Sequence, residues 1–199
     1  MKLILWLLAA GMLAGCAENA GPGGRPDIQL NIVRQDTLAP PLLALRDSFY
    51  AKVNEGREMR LFYQGAAPGD SGAEFLRFEV PGDGLYRKPD GSAFQPGDSI
   101  LITVTVVDAA RFLFDFAPAG LRFDPAHPAH MRVSYSNGDQ DFNGDGVEDS
   151  TDSEIEHEID LWYRATPGAL WYSTGAVKFE LSDEIDANIL TFSQYAVAW

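Results

Sequence analysis

Short runs of alternating or β-branched residues, fenced by Gly, Pro and Asp, recur through most of this chain, and no long stretch of helical period interrupts them. That pattern constrains the fold more than anything else in the sequence. Residues 99–107 are rich in Ile, Val and Thr, residues 73–80 and 130–135 alternate, and Phe112, Phe114 and Phe116 share one face of an extended segment. Successive strand side chains point to opposite faces, so such runs bury one face and wet the other. Gly82-Asp83-Gly84 and Pro89-Asp90-Gly91 supply the turn chemistry between them. Further strands are expected at 121–123, 158–164, 170–173, 177–181 and 189–198. A first hairpin is expected at 48–53 and 58–64, turning at Asn54-Glu55-Gly56, with a short helix over 42–50 as the competing reading. About ten short strands in such an order describe an all-β chain, a sandwich or barrel.

The amino terminus does not belong to that pattern. Lys2 precedes an apolar run, Leu3 to Leu8 with Ala9, Ala10 and Met12, which ends in Leu13-Ala14-Gly15-Cys16. The run is shorter than the ~20 residues a bilayer-spanning helix needs. A positive start, an apolar centre and small residues before the break are the organisation of an export signal. The segment resembles the lipobox of bacterial lipoproteins. The resemblance implies cleavage before Cys16, diacylation of its sulfur and acylation of the new amino terminus, enough acyl chains for stable membrane anchoring. Ala17 in place of Asp implies, by the sorting habit of enteric lipoproteins, the outer membrane of a bacterial envelope, on the periplasmic or the surface side. The expected division is a signal peptide over 1–15, a lipidated cysteine and flexible Gly/Pro tether over 16–41, and a β-sandwich domain over 42–199. Cys16 is the only cysteine, so neither an intramolecular disulfide nor a cysteine-based zinc site can staple the domain.

The sharpest chemistry lies at 141–152, Asp-Phe-Asn-Gly-Asp-Gly-Val-Glu-Asp-Ser-Thr-Asp. Calcium is a hard cation that takes six to eight oxygens, so a short loop must aim several carboxylates and a carbonyl inward. Asp141, Asn143 and Asp145 are spaced to supply alternate side-chain oxygens, Gly146 permits the sharp turn, Val147 offers its carbonyl, Asp149 binds directly or through water, and Asp152 closes the cage. Asp152 stands where a helix-loop-helix EF-hand carries Glu; in this it is similar to dockerin-like and thrombospondin-repeat-like loops. The shorter side chain implies closure by one oxygen or with help from Glu154, and a Kd of about 10⁻⁴ to 10⁻³ M. Strand period on both sides, at Met131, Val133 and Tyr135 and again at Ile155, His157, Ile159, Leu161 and Tyr163, places the loop between strands. Thr151 and Glu154 as a capping box would allow at most a helical turn or two there.

A formal net charge of -14 disfavours nucleic-acid binding, which needs a basic face. Catalytic readings are weak. Ser71, in Gly69-Asp70-Ser71-Gly72, precedes all three histidines, against the order of chymotrypsin-like enzymes, and no G-x-S-x-G elbow is present. His127-Pro-Ala-His130 reads as a loop pair without a third ligand. Trp162-Tyr163 and Trp171-Tyr172 occupy adjacent strand segments around a Pro167-Gly168 turn. Core packing is their simplest use; the sharper one is a sugar-stacking platform made by Trp162, Trp171 and Tyr172, as in a carbohydrate-binding module.

Over residues 73–199, the segments Phe116-Ala-Pro-Ala-Gly120-Leu-Arg-Phe123-Asp-Pro125, Met131-Arg-Val-Ser-Tyr135, Asp160-Leu-Trp-Tyr163, Trp171 and Thr191-Phe192-Ser193-Gln-Tyr195 resemble the ZU-five domain of ankyrins and netrin receptors in its divergent bacterial form. The resemblance implies an antiparallel β-sandwich used for protein contacts. Some relatives cleave themselves at His-Phe-Ser; Thr191 replaces that histidine and cannot serve as a base near neutral pH, so no self-cleavage is expected. The sequence therefore describes an antiparallel β-sandwich with a calcium-binding loop inserted between strands, tethered to a membrane. It would bind an envelope protein or a glycan and catalyse nothing.

Overall fold

The computed structural model describes residues 23–199, so the expected signal peptide and the lipidation site Cys16 lie outside the described residues. In chain order the elements are β1 (Arg46–Lys52), β2 (Arg57–Gln64), β3 (Ser71–Val80), β4 (Leu85–Arg87), β5 (Ser99–Asp108), β6 (Leu113–Ala117), β7 (Arg122–Phe123), β8 (Ala129–Ser134), α1 (Ser150–Glu158), β9 (Asp160–Arg164), β10 (Tyr172–Ser173), β11 (Val177–Phe179), β12 (Glu184–Ile189) and β13 (Gln194–Ala198). One sheet runs β1-β5-β6-β13-β9-β10, the other β11-β12-β8-β3-β2, and β4 pairs with β7 in a small third sheet. Every strand pairing is antiparallel.

The period-2 pattern explains how the two large sheets pack. Ile102, Val104 and Val106 of β5, Phe114 and Phe116 of β6, and Tyr195 and Val197 of β13 are buried from one side. Leu76, Phe78 and Val80 of β3, Met131 and Val133 of β8, and Ile185, Ala187 and Ile189 of β12 meet them from the other. An aromatic seam joins the sheets. The Phe78 ring lies 5.1 Å from Phe116 and 5.6 Å from Phe192, and Phe192 lies 5.1 Å from Phe123. Tilted and edge-on geometries of this kind add to the stabilisation from burial alone.

The outer face of the second sheet is charged, as alternation requires. Arg60, Arg77 and Arg132 stand opposite one another across β2, β3 and β8, an arrangement that like-charge repulsion disfavours. Carboxylates from neighbouring positions offset it: Glu74 lies within 3.3 Å of Arg60 and 3.0 Å of Arg77, and Asp186 lies 2.9 Å from Arg132.

Several expectations need correction. The turn at Asn54 forms, with that residue left-handed at φ 65°, but the arms beside it go to different sheets: β1 pairs with β5 and β2 with β3. Segment 42–50 is not helical; it bends at residues 43 and 45 and then enters β1. The run 189–198 is not one strand, because the chain crosses from β12 to β13 through Leu190–Ser193, burying Phe192 and Ser193 on the way. The tether ends well before residue 41. Arg25 bridges Trp171, Ile32 bridges Ala198, Arg34 bridges Arg111, and Leu30 and Val33 are buried. That docked strip covers apolar side chains on the outer face of the first sheet, which no second sheet shields. Gly138 lets it approach closely; a Cβ there would meet the Tyr135 carbonyl at 2.8 Å and the Val33 side chain at 3.2 Å.

Candidate functional site

The acidic loop is built by its own backbone. Asp141 accepts N–H bonds from Gly144 (2.8 Å), Asp145 (3.1 Å) and Gly146 (2.7 Å); Asn143 Oδ1 accepts from Asp145 (2.8 Å) and Asp145 Oδ1 from Val147 (2.9 Å). Gly144 and Gly146 sit at φ 75° and 90°, where a side chain would be strained, so the bend depends on them. Phe142, buried beneath the loop, packs edge-on against Trp199 at 5.5 Å and pins the loop to the first sheet.

The loop leads into a helix, not the strand expected there. Asp149 is the N-cap, its carboxylate accepting from the Thr151 N–H at 2.7 Å, and Asp152 closes the capping box. The box thus sits two residues earlier than Thr151 and Glu154 suggest, and α1 runs for nine residues. Asp152 is 2 % exposed, with its two oxygens accepting from Asn143 N–H (3.0 Å) and Asp149 N–H (2.9 Å). It therefore ties the two ends of the loop together. Below the helix, Tyr135 donates to Glu156 at 2.9 Å and Lys178 donates to the Glu156 carbonyl; burial and the neighbouring Glu156 carboxylate push the Tyr135 hydroxyl far above its ordinary range.

The N–H groups of Asn143 and Asp149 hold the Asp152 carboxyl below the ordinary 3.8. A depressed folded-state pKa contributes stability above 3.8 that is lost as pH falls through the folded value. Asp183 opposes this, since burial and then Glu156 raise its carboxyl. In chelator, Asp152→Asn, which keeps one acceptor of two, is expected to melt a few degrees below the parent at pH 7. The gap should narrow as pH falls below 3.8; a gap that stays constant to pH 3 refutes the assignment of that stability to the charged carboxylate.

Among the described residues, no group of three or more His, Cys, Asp or Glu side chains converges as a metal cage. The donor set is nevertheless of the right chemistry. A carboxylate has about four lone-pair sites, and the loop's own bonds take three on Asp141, one on Asp145, and two each on Asp149 and Asp152. Asn143, Asp145 and Asp149 are exposed, as is Val147 at 59 %. Glu154 is exposed on α1.

The aromatic platform is covered. Trp171 is 1 % exposed, its indole N–H donating to Asp27 at 2.6 Å, and Arg164 lies 4.4 Å from its ring centre while donating to Asp27 at 2.7 Å. The Trp162 indole N–H donates to the Ala198 carbonyl, and Arg25 stands 4.7 Å over its ring. Both rings thus form a small outer core with Leu30, Ala196 and Ala198 beneath the docked strip. Only Tyr172, 41 % exposed, remains of the expected sugar-stacking set.

A cleft of about 560 Å³ opens beside the loop. Its walls are the docked strip (Asp27, Leu30, Ile32, Arg34), Arg111 and Leu113, Asp139 and the loop residues Asp141 to Gly144, Arg164, and Trp199. Sequence reasoning missed it, because its residues are scattered from 27 to 199 and are brought together only by the strip's pairing. No helix among the described residues is long and apolar enough to cross a membrane. Compared with known protein families, curated proteins and solved structures, the chain finds no match in any of the three.

Proposed function

We propose that the chain is a membrane-anchored envelope lipoprotein presenting a calcium-stabilised β-sandwich as a non-catalytic binding or structural module. The observation that carries the metal half is the loop itself: carboxylates at 141, 145, 149 and 152, with lone pairs to spare, on a bend that contains no Lys or Arg. Asp141, Asn143, Asp145, the Val147 carbonyl, Asp149 and Asp152 would hold the ion. Bound there, it would supply the positive charge that relieves their mutual repulsion. The lipobox-like run ending at Cys16 supports the anchor. Two packed antiparallel sheets are the architecture a ZU-five-like contact module requires. The carbohydrate-binding alternative loses its main support, because Trp162 and Trp171 are covered.

The test is a melting curve with calcium and with chelator. At free ion about 100 times its Kd, binding to the folded form alone is worth about 2.7 kcal/mol, or roughly 5–10 °C in a domain of this size. Asp145→Ala, which removes an exposed carboxylate, is expected to abolish the shift while leaving the chelated midpoint near that of the parent. An unmoved wild-type midpoint would end the metal reading.

A further inference from the structure

The geometry points to the cleft beside the acidic loop as a binding site for a small ligand bearing an oxyanion, a carboxylate or phosphate group, held by Arg34 and Arg111. These two residues are a bridged antiparallel pair flanked by the Gln35 N–H to Ala110 carbonyl bond (3.0 Å) and the Phe112 N–H to Val33 carbonyl bond (3.1 Å). That places them at a non-hydrogen-bonded position, where opposed side chains lie closest, with Cα atoms about 4.5 Å apart. Two like charges at such a position repel one another unless an anion sits between them. Among the described residues no carboxylate does so. Among the described residues Arg34 makes no ion pair, and Arg111 reaches Asp108 alone, at 3.5 Å. Arg164, by contrast, is committed to Asp27 and Gln194.

The carboxylates in the same walls do not fill the role. Asp141 is turned into the loop, where three N–H groups hold it, and Asp139 Oδ1 accepts from the Asp141 N–H at 3.2 Å. The cleft therefore holds three arginines against three aspartates on a chain of formal charge -14, and the adjacent Arg34 and Arg111 side chains, only one of them engaged by a carboxylate and that at 3.5 Å, offer donors to two oxygens of one anion. Leu30, Ile32, Leu113 and Trp199 give the body of such a ligand an apolar wall. One consequence rests on the calcium reading. A cation in the loop would remove negative charge from the opposite wall and strengthen anion binding, and by reciprocity the anion would strengthen calcium binding.

Titration calorimetry and the Trp199 indole resonance, followed on the full folded domain at low ionic strength, test this with three probes: inorganic phosphate, acetate and phenylacetate. Saturable binding of at least one is expected, weakened about tenfold or more by Arg34→Gln and by Arg111→Gln at unchanged melting temperature. Arg34→Lys should recover less than half of the loss in binding free energy if the fork geometry matters. Phosphate as the tightest ligand identifies a phosphate site; phenylacetate tighter than acetate identifies an organic acid using the apolar wall. No binding by any probe, or binding that survives in the double glutamine variant, overturns the proposal. Repeating the titrations in chelator separates the two readings, since arginine-dependent binding that ignores calcium leaves the cleft standing and removes only its coupling to the metal.

Discussion

Replacing Phe78 by Ala is expected to cost about 3–5 kcal/mol, as for other large aromatic truncations in close-packed interiors. Against a total stability of about 5–15 kcal/mol, that loss brings the domain close to unfolding. The reason is position. Phe78 comes from β3 of the five-stranded sheet, yet its ring meets Phe116 of β6 in the other sheet, Phe123 of β7 and Phe192 of the crossing segment, at 5.1, 6.3 and 5.6 Å. Truncation leaves a void bordered by three rings whose residues are themselves held by backbone hydrogen bonds, Phe116 to Ser193, Phe123 to Leu190 and Phe192 to Leu121, and cannot collapse into it. Thermal melting should fall by roughly 6–20 °C. Phe78→Leu, which keeps most of the volume, should fall by much less. A melting point for Phe78→Ala within a degree or two of the parent would mean that the two sheets do not meet as described.

The second large effect is expected at Trp171, and it distinguishes a packing role from a ligand role. Trp171→Ala removes a fully buried indole, its bond to Asp27 and the ring beneath Arg164, a loss of about 3–5 kcal/mol by the same reasoning. The damage should be local first. Arg25 and Trp171 exchange both backbone bonds at 2.8 Å, and that reciprocal pair, together with Asp27, fixes the start of the docked strip. Hydrogen exchange is therefore expected to rise over residues 25–33 before it rises in β5 or β8. The Asp27 carboxyl, held below its ordinary range chiefly by the Trp171 bond and further by Arg164, should titrate higher in the variant. Trp171→Phe, which keeps the ring and loses the indole donor, should show the titration change with a smaller loss of stability. Unchanged exchange over the strip in Trp171→Ala would mean that the indole does not anchor the strip.

Much of the sandwich was legible because burial on one face imposes period 2, and that period is local. The runs at 73–80, 99–107 and 130–135 became β3, β5 and β8 with ends within a residue or two. Phe112, Phe114 and Phe116 are all buried, as their common face requires. β12 escaped notice because Glu184-Ile-Asp-Ala-Asn-Ile189 spends its small apolar content on the inner face and looks polar from outside. At the acidic loop, the strand period from Ile155 to Tyr163 runs directly into the capping signal of Thr151 and Glu154, and local pattern could not rank them. The Asp149 and Asp152 box decided for helix, since it satisfies N–H groups that a strand entry would leave to solvent.

Residues alone determined that the chain would be β-rich, that it would carry an acidic oxygen-rich bend at 141–152, and that a single cysteine would leave the domain without a disulfide. All three come from side-chain periodicity and composition, which need no knowledge of distant neighbours. Only the tertiary structure decided that the strip from Arg25 to Gln35 belongs to the domain, that Trp162 and Trp171 lie beneath it, and that Arg34 stands beside Arg111 in a cleft walled by the loop. Each of those pairings joins residues dozens of positions apart. They form because the first sheet leaves an apolar outer face that the amino-terminal strip must cover, a demand created only once both sheets have packed.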